Sequence, residues 1–242
     1  MSISRKHRRP AGLPVRGLGG IDRRTALWLG GGALVLGGLF GAAVWRQSPT
    51  APRQAPGAAE GDLLAETDAD LAVGQTGAPV LVEYASLTCP ACAAFAVQIW
   101  PELERRLVRP GRLRFLYRDF PLDLVALTAS VMVRALPAER RFEAIKALYA
   151  QRDVWVPPRA LRPVEVRRWV ADRAGPVVGL SSGDAFRAVS DREWERRIAG
   201  LRLEAQAVGI DRTPTFVLPN RERFVGLRGS AEFVVMVERA RS

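Results

Sequence analysis

Between positions 80 and 240 the spacing of apolar residues changes period several times, and each change marks an element. Val80-Leu81-Val82-Glu83-Tyr84-Ala85 is a short apolar run rich in β-branched and aromatic side chains, preceded by Gly77-Ala78-Pro79. It predicts a buried strand. From Ala91 to Leu107 the period becomes helical, with Phe95, Ile99 and Leu103 on one face, and Pro101 is expected to kink that helix. A second strand is predicted over 112–117. Residues 123–210 are then helical in character. The run 124–136 is apolar nearly all round and predicts a central buried helix. The run 138–151 is amphipathic, with Phe142, Ile145, Leu148 and Tyr149 on one side. Pro157-Pro158 breaks the pattern; 163–175 opens on Pro and closes on Gly, and 182–210 holds one or two further helices ending at Gly209. Strands 215–218 and 223–228, a turn over 219–221 and a helix over 230–240 complete the reading. Trp155, Trp169 and Trp194 are expected to pack in the core, and the Arg-rich faces to be solvated surface.

The chemistry concentrates at one junction. The chain has 242 residues and two cysteines, both in "SLTCPACAAF" (86–95). The pair lies where the strand at 80–85 gives way to a helix, which puts Cys89 at the helix N-terminus and Cys92 one turn in. Unpaired N–H groups and the positive end of the helix dipole favour a thiolate there, so Cys89 is expected to have the lowered pKa and to be the attacking sulfur. Pro90 suits the first helical turn, where no N–H is needed. A structural zinc site needs four Cys or His ligands, and the single histidine, His7, is in the N-terminal leader. The same scarcity excludes Ser-His-Asp and Cys-His catalysis. A structural bridge across two residues would close too small a loop to stabilise much. What remains is a redox-active Cys-x-x-Cys.

Strand, Cys-Pro-x-Cys and helix resemble the entry to a thioredoxin fold. "EYASLTCPAC", followed by "YRDFPLD" (117–123), resembles the DsbA-type thiol:disulfide oxidoreductases of exported bacterial proteins. The resemblance covers about residues 66–240. It implies an α/β, thioredoxin-like fold with a helical insertion domain over about 123–210. It also implies that Thr213-Pro214-Thr215-Phe216 is the family's cis-proline loop facing the cysteines, so that Thr213 and Pro214, with Pro90 and Ala91, contact substrate. Glu83, six residues before Cys89, matches the family's buried acid. Burial would raise its pKa and let it take the proton from Cys92 as that sulfur resolves a mixed disulfide. No cofactor beyond the redox-active Cys89–Cys92 disulfide is implied. One departure stands out: DsbA has His where this chain has Ala91. Without that cation the Cys89 pKa is expected to exceed that of the family's strongest oxidants, and the reduction potential to be lower.

Charge and hydropathy bear on location. The net charge is +11, but residues 1–48 carry eight Lys/Arg and one acid, a net +7. A basic leader, not a basic body, sets the balance, which argues against nucleic-acid binding. Arg23-Arg24 precede an apolar, Gly-rich run over 26–45 and resemble a twin-arginine export signal, although Asp22 and Ala26 stand where that signal prefers Ser/Thr and Phe. Twenty apolar residues also suffice for an uncleaved membrane anchor. Either reading exports the rest. The expected organisation is signal or anchor at 1–46, a Pro/Ala-rich linker at 47–61 and the DsbA-like domain at 62–242. Expected partners are exported polypeptide substrates and a membrane or thioredoxin-like redox partner, with membrane contact through the N-terminal segment. Two rival readings stay open: a disulfide reductase or isomerase on the same fold, and a non-enzymatic peptide-binding or chaperone module with an inert disulfide.

Overall fold

The computed structural model describes residues 62–241. The expected export signal or anchor and the linker, at 1–46 and 47–61, lie outside the described residues. A five-stranded sheet runs in the order β1-β3-β2-β4-β5, with β1 Leu71–Val73, β2 Val80–Ala85, β3 Arg114–Asp119, β4 Thr215–Val217 and β5 Arg223–Val225. β2 and β3 pair in parallel, Glu83 opposite Tyr117; every other pairing is antiparallel. Both central strands are buried on both sides, which is why β2 reads as a continuous apolar run rather than an alternating one. Leu81 and Ala85 join Phe115 and Phe216 in the larger core. Val82 and Tyr84 pack with Leu116, Phe120 and Val217 in a smaller core on the opposite face.

The helical segment that carries the cysteines is less regular than its sequence period predicts. It runs as α1 (Pro90–Ala94), a π turn over Phe95–Ile99, α2 (Trp100–Leu103) and a second π turn over Glu104–Val108. Phe95, Ile99 and Leu103 are all buried, as their spacing requires. Pro101 cannot donate an N–H, and its ring crowds the preceding turn. The backbone responds by widening just before it, where the Trp100 amide bonds back five residues to the Phe95 carbonyl. The Phe95 ring meets Phe216 at 4.8 Å and Phe233 at 5.4 Å, locking the segment onto the sheet.

Between β3 and β4 comes the helical insert: α3 Leu124–Arg134, α4 Ala138–Ala150, α5 Arg152–Trp155, α6 Pro163–Ala174, α7 Ser182–Ala188 and α8 Arg192–Ala207. α9, Ser230–Ala240, closes the chain against the sheet. α3 is buried on nearly every side, as its apolar sequence predicts. The stretch predicted as one or two helices over 182–210 is two, because Asp191 caps α8 by accepting from the Glu193 and Trp194 amides at 2.9 and 3.0 Å. Among the described residues no helix is long and apolar enough to cross a membrane.

Several expectations need correction. β3 begins at Arg114 rather than Arg112: the Arg112 amide instead bonds back to the Leu107 carbonyl, beyond the second π turn, after Gly111 turns the chain at φ +73°. β5 ends at Val225: the Gly226 amide still bonds across to the Pro214 carbonyl, but Pro214 has no N–H to return, and Gly226 turns the chain at φ +86°. Of the three insert tryptophans only Trp155 is fully buried. Trp169 is half-buried, its indole N–H on the Trp155 carbonyl at 2.7 Å, and half-buried Trp194 is ringed by Arg134, Arg141 and Arg197 at 5.0–5.9 Å. Nor are all arginines solvated: Arg134 is buried and donates twice to buried Asp119, at 3.1 and 2.5 Å.

Candidate active site

β2 ends against the smaller and larger cores at Ala85, and the loop 86–89 turns its backbone upward so that Cys89 caps α1. The cap is conventional except that the acceptor is sulfur. Cys89 has extended dihedrals (φ −72°, ψ 122°), and its Sγ accepts the Cys92 amide at 3.4 Å. Pro90 follows at the first helical position, exposed, where a missing N–H is harmless. Ala91 is half-buried beside it and Cys92 is fully buried one turn in. Both cysteines are free thiols.

On the far side of the sulfur, the Thr213-Pro214 peptide is cis, and the Cys89 thiol donates to the Thr213 carbonyl at 3.5 Å. Residues 124 positions apart are thus joined at a single atom. The Cys89 pKa is lowered to about 5. Its first cause is hydrogen bonding from the Cys92 thiol; partial burial opposes, while the Cys92 and Ala91 amides lower it further. Catalytic thiols of this architecture range from about 7 in thioredoxin to about 3.5 in DsbA, so Cys89 falls between them without a neighbouring histidine. Cys92 is displaced oppositely: burial first, then the bond to Cys89 and the charges of Glu83 and Cys89, push its thiol well up. The pair thus sets a thiol that ionises readily one helical turn from a thiol that does not.

Glu83 projects from β2 into the larger core, only 2% exposed. Its Oε1 has no hydrogen-bond partner. Burial, reinforced by charge on Cys89, raises its pKa well above the carboxylate range. A buried carboxyl that is easily kept protonated, coupled to both sulfurs, can exchange a proton with them.

Other residues of the site carry no strong signal in the sequence. Tyr149 of α4 donates to the Ser86 carbonyl at 3.1 Å, and the Tyr117 and Tyr149 hydroxyls meet at 3.3 Å. The Thr88 hydroxyl donates to Asp123 at 2.7 Å, and Arg152 of α5 places Nε and Nη2 on the Thr88 carbonyl at 3.1 and 3.0 Å. Asp123 was findable, since an Asp just before an apolar helical run is an N-cap signal. Arg152 follows the end of one helix in an arginine-rich region, and no spacing rule points from it to position 88. The insert therefore reaches into the cysteine loop from three helices.

The chain matches the family model described as Thioredoxin over residues 66–238. It is 27% identical over 139 residues to a Rickettsia typhi protein assigned as a protein-disulfide oxidoreductase, covering 57% of this chain and 49% of that one. A Rickettsia bellii protein with the same assignment is 33% identical over 139 residues, covering 57% and 51% respectively. The chain thus spans about half the length of the curated relatives it matches. Among solved structures it superimposes on alpha-DsbA1 of Wolbachia pipientis with a TM-score of 0.62, at 23% identity, over 74% of this chain and 94% of that one. At that identity the likeness speaks for the fold: a thioredoxin sheet with a DsbA-like helical insertion.

Proposed function

The chain belongs to the thioredoxin family, and from that membership we propose that it is a DsbA-like protein thiol:disulfide oxidoreductase acting on exported polypeptides through Cys89 and Cys92. The observation that carries the reading is the environment of Cys89. Its sulfur accepts the Cys92 amide, only its protonated form donates to the carbonyl of the cis Thr213-Pro214 loop, and its pKa is about 5. A thiolate at neutral pH beside a buried, protonated thiol is what disulfide exchange requires.

In the reducing direction the Cys89 thiolate attacks one sulfur of a substrate disulfide. A mixed disulfide forms and one substrate thiolate leaves. Cys92 then attacks Cys89 Sγ, its proton passing to Glu83 in the molecules where that carboxyl is ionised, and the second substrate thiolate is released. Two electrons pass to the substrate, and the chain is left as the Cys89–Cys92 disulfide. In the oxidising direction a substrate thiolate attacks that disulfide at Cys89, and Cys92 leaves and takes up the proton. Thr213 and Pro214, with Pro90 and Ala91, hold the substrate backbone beside the sulfur. The proposed steps call for no cofactor besides the cysteine pair, and a membrane or thioredoxin-like redox partner resets the pair. Export by a twin-arginine or general secretory route, and membrane attachment where the leader stays uncleaved, rest on the leader sequence alone.

The test is insulin-disulfide reduction, with Cys89→Ser and Cys92→Ser compared. Loss of turnover with Cys89→Ser and accumulation of mixed disulfides with Cys92→Ser are expected, because first attack survives only in the second. Equal alkylation rates of the two thiols, or no insulin reduction, would return the peptide-binding reading. The neutral Ala91 favours a reducing or isomerising role on the same fold. Equilibration with glutathione separates that role from an oxidant's.

A further inference from the structure

We propose that Arg152 is a positioning residue of the exchange site, fixing the Thr88–Cys89 peptide and supplying the positive charge that the Cys-Pro-Ala-Cys sequence lacks. The inference rests on the proposed exchange function and deepens it.

Thr88 is gripped at both ends by the helical insert. Its hydroxyl donates to Asp123, the N-cap of α3. Its carbonyl accepts two N–H groups from the Arg152 guanidinium, at 3.1 and 3.0 Å. Thr88 is the residue directly before Cys89, so this carbonyl is the negative end of the peptide whose nitrogen belongs to the nucleophilic cysteine. Its partial negative charge belongs to the peptide that leads into Cys89 and opposes a forming thiolate on that residue. A guanidinium on that oxygen offsets the opposition and adds a full charge, and two bonds to one atom leave the peptide little freedom to rotate. The Arg152 side chain is 26% exposed, so its charge is only partly screened.

The other charged or titratable groups around the site do not supply this cation. Glu83 on β2, Cys92 on α1, Tyr117 on β3 and Tyr149 on α4 carry no positive charge, Asp123 before α3 already accepts from Thr88 and the Ala126 amide, and Arg212, next to Thr213, is exposed and paired with Asp211 at 2.9 Å. Asp153 lies 3.3 Å from Arg152 Nη1, but it is 98% exposed and competes weakly in water. The Nε and Nη2 groups that hold Thr88 are distinct from the one facing Asp153.

The experiment uses the full chain and its Arg152→Gln and Arg152→Lys variants. Cys89 pKa is read from ultraviolet thiolate absorbance and from the pH dependence of alkylation, and the redox equilibrium constant is read against glutathione. Arg152→Gln is expected to raise the Cys89 pKa by about one unit. It should also shift the equilibrium constant roughly tenfold toward the disulfide, a change of about 30 mV. Arg152→Lys, which keeps the charge but cannot place two fixed N–H groups on one oxygen, should recover part of the shift. A folded Arg152→Gln protein whose pKa and equilibrium constant stay within about twofold of the parent overturns the proposal. If Arg152→Gln does not fold, Arg152→Lys carries the test: an intermediate pKa rise supports the role and an unchanged pKa overturns it. The thiolate measurements need no protein substrate. A shifted pKa in a chain that exchanges no disulfide with insulin therefore sinks the proposed function and leaves Arg152's role standing, whereas normal exchange with an unmoved pKa sinks the role alone.

Discussion

Thr88 donates its hydroxyl proton to Asp123 Oδ2 at 2.7 Å, while Asp123 Oδ1 accepts the Ala126 amide at 2.8 Å. One carboxylate thus caps the central helix of the insert and holds the residue before Cys89. Asp123→Ala removes the cap, at about 1 kcal/mol, and takes one partner from a buried hydroxyl, at about another 1 kcal/mol. Urea denaturation is expected to show a loss of roughly 1–3 kcal/mol. Asp123→Asn keeps an acceptor for the cap and should lose clearly less. Equal losses in the two variants would mean that charge, not capping, is what Asp123 contributes.

The pair formed by Asp119 at the end of β3 and Arg134 at the end of α3 is buried on both sides, and Ser130 also donates to Asp119 at 2.6 Å. Removing one partner strands a charge where water cannot reach it, typically a loss of about 3–5 kcal/mol. Arg134→Met is therefore expected to be strongly destabilising. Adding Asp119→Asn, which removes the stranded charge, should recover a large part of the loss. Unfolding midpoints of the parent, both single variants and the double variant give the coupling directly. Purely additive effects would show that the pair is not coupled.

Glu83 gives a pH dependence with a definite sign. Its folded pKa lies well above the ordinary 4.5, so over the interval between the two values the folded chain holds a proton that the unfolded chain has released. Stability contributed by this group is present below about pH 4.5 and falls as pH rises toward the folded pKa. Glu83→Gln has no proton to hold. The variant should match the parent near pH 4 and become progressively more stable than it toward neutral pH, while resolution of mixed disulfides by Cys92 slows. Cys89 works in the opposite sense: its pKa is lowered from 9.0 to about 5, so its contribution is full above 9 and is lost as pH falls through 5. Comparing Glu83→Gln with its parent, both reduced, removes the Cys89 contribution except for its repulsion of the Glu83 carboxylate, which acts in the same sense as burial. A parent and variant whose stabilities run parallel from pH 4 to 8 would contradict a raised Glu83 pKa.

Long elements with one dominant signal were legible from the residues alone. β2 is six consecutive residues of which five are buried, and α3 is apolar nearly all round, so neither depends on a partner far along the chain for its identity. The cysteine junction was legible because two rare residues fall where a strand period becomes a helix period. β1 was not, since three residues, Leu71–Val73, are too few to show a period, and they are a strand only because β3 is there to pair with. The π turns around Pro101 answer a backbone conflict that side-chain spacing does not record. The contacts of Arg134 with Asp119 and of Arg152 with Thr88 join positions 15 and 64 residues apart, and in composition these two arginines look like every other arginine on an arginine-rich surface.

Ala91 occupies the first turn of α1, half-buried, one residue before Cys92, and its amide already helps lower the Cys89 pKa. A histidine there would bring a cation near the Cys89 sulfur. Two charges ~4 Å apart at an effective dielectric of ~20 interact by about 4 kcal/mol before screening, and partial exposure leaves about 1–2. At ~1.36 kcal/mol per pKa unit, Ala91→His is expected to lower the Cys89 pKa by about one unit from its value of about 5. Stabilising the thiolate favours the reduced form, so the variant should be the stronger oxidant by about 30 mV, the equivalent of ~1.4 kcal/mol for a two-electron couple. The gain depends on imidazolium. It should be full at about pH 6 and fade above the folded pKa of the histidine, which the thiolate holds above its ordinary ~6.5. Thiolate titration and glutathione equilibration of both proteins, at about pH 6 and again well into the alkaline range, measure the effect. If the histidine leaves the thiolate unmoved at acid pH, the helix amides, the Cys92 thiol and the Thr213 loop already set the Cys89 pKa, and the potential of this chain does not depend on what stands between its cysteines.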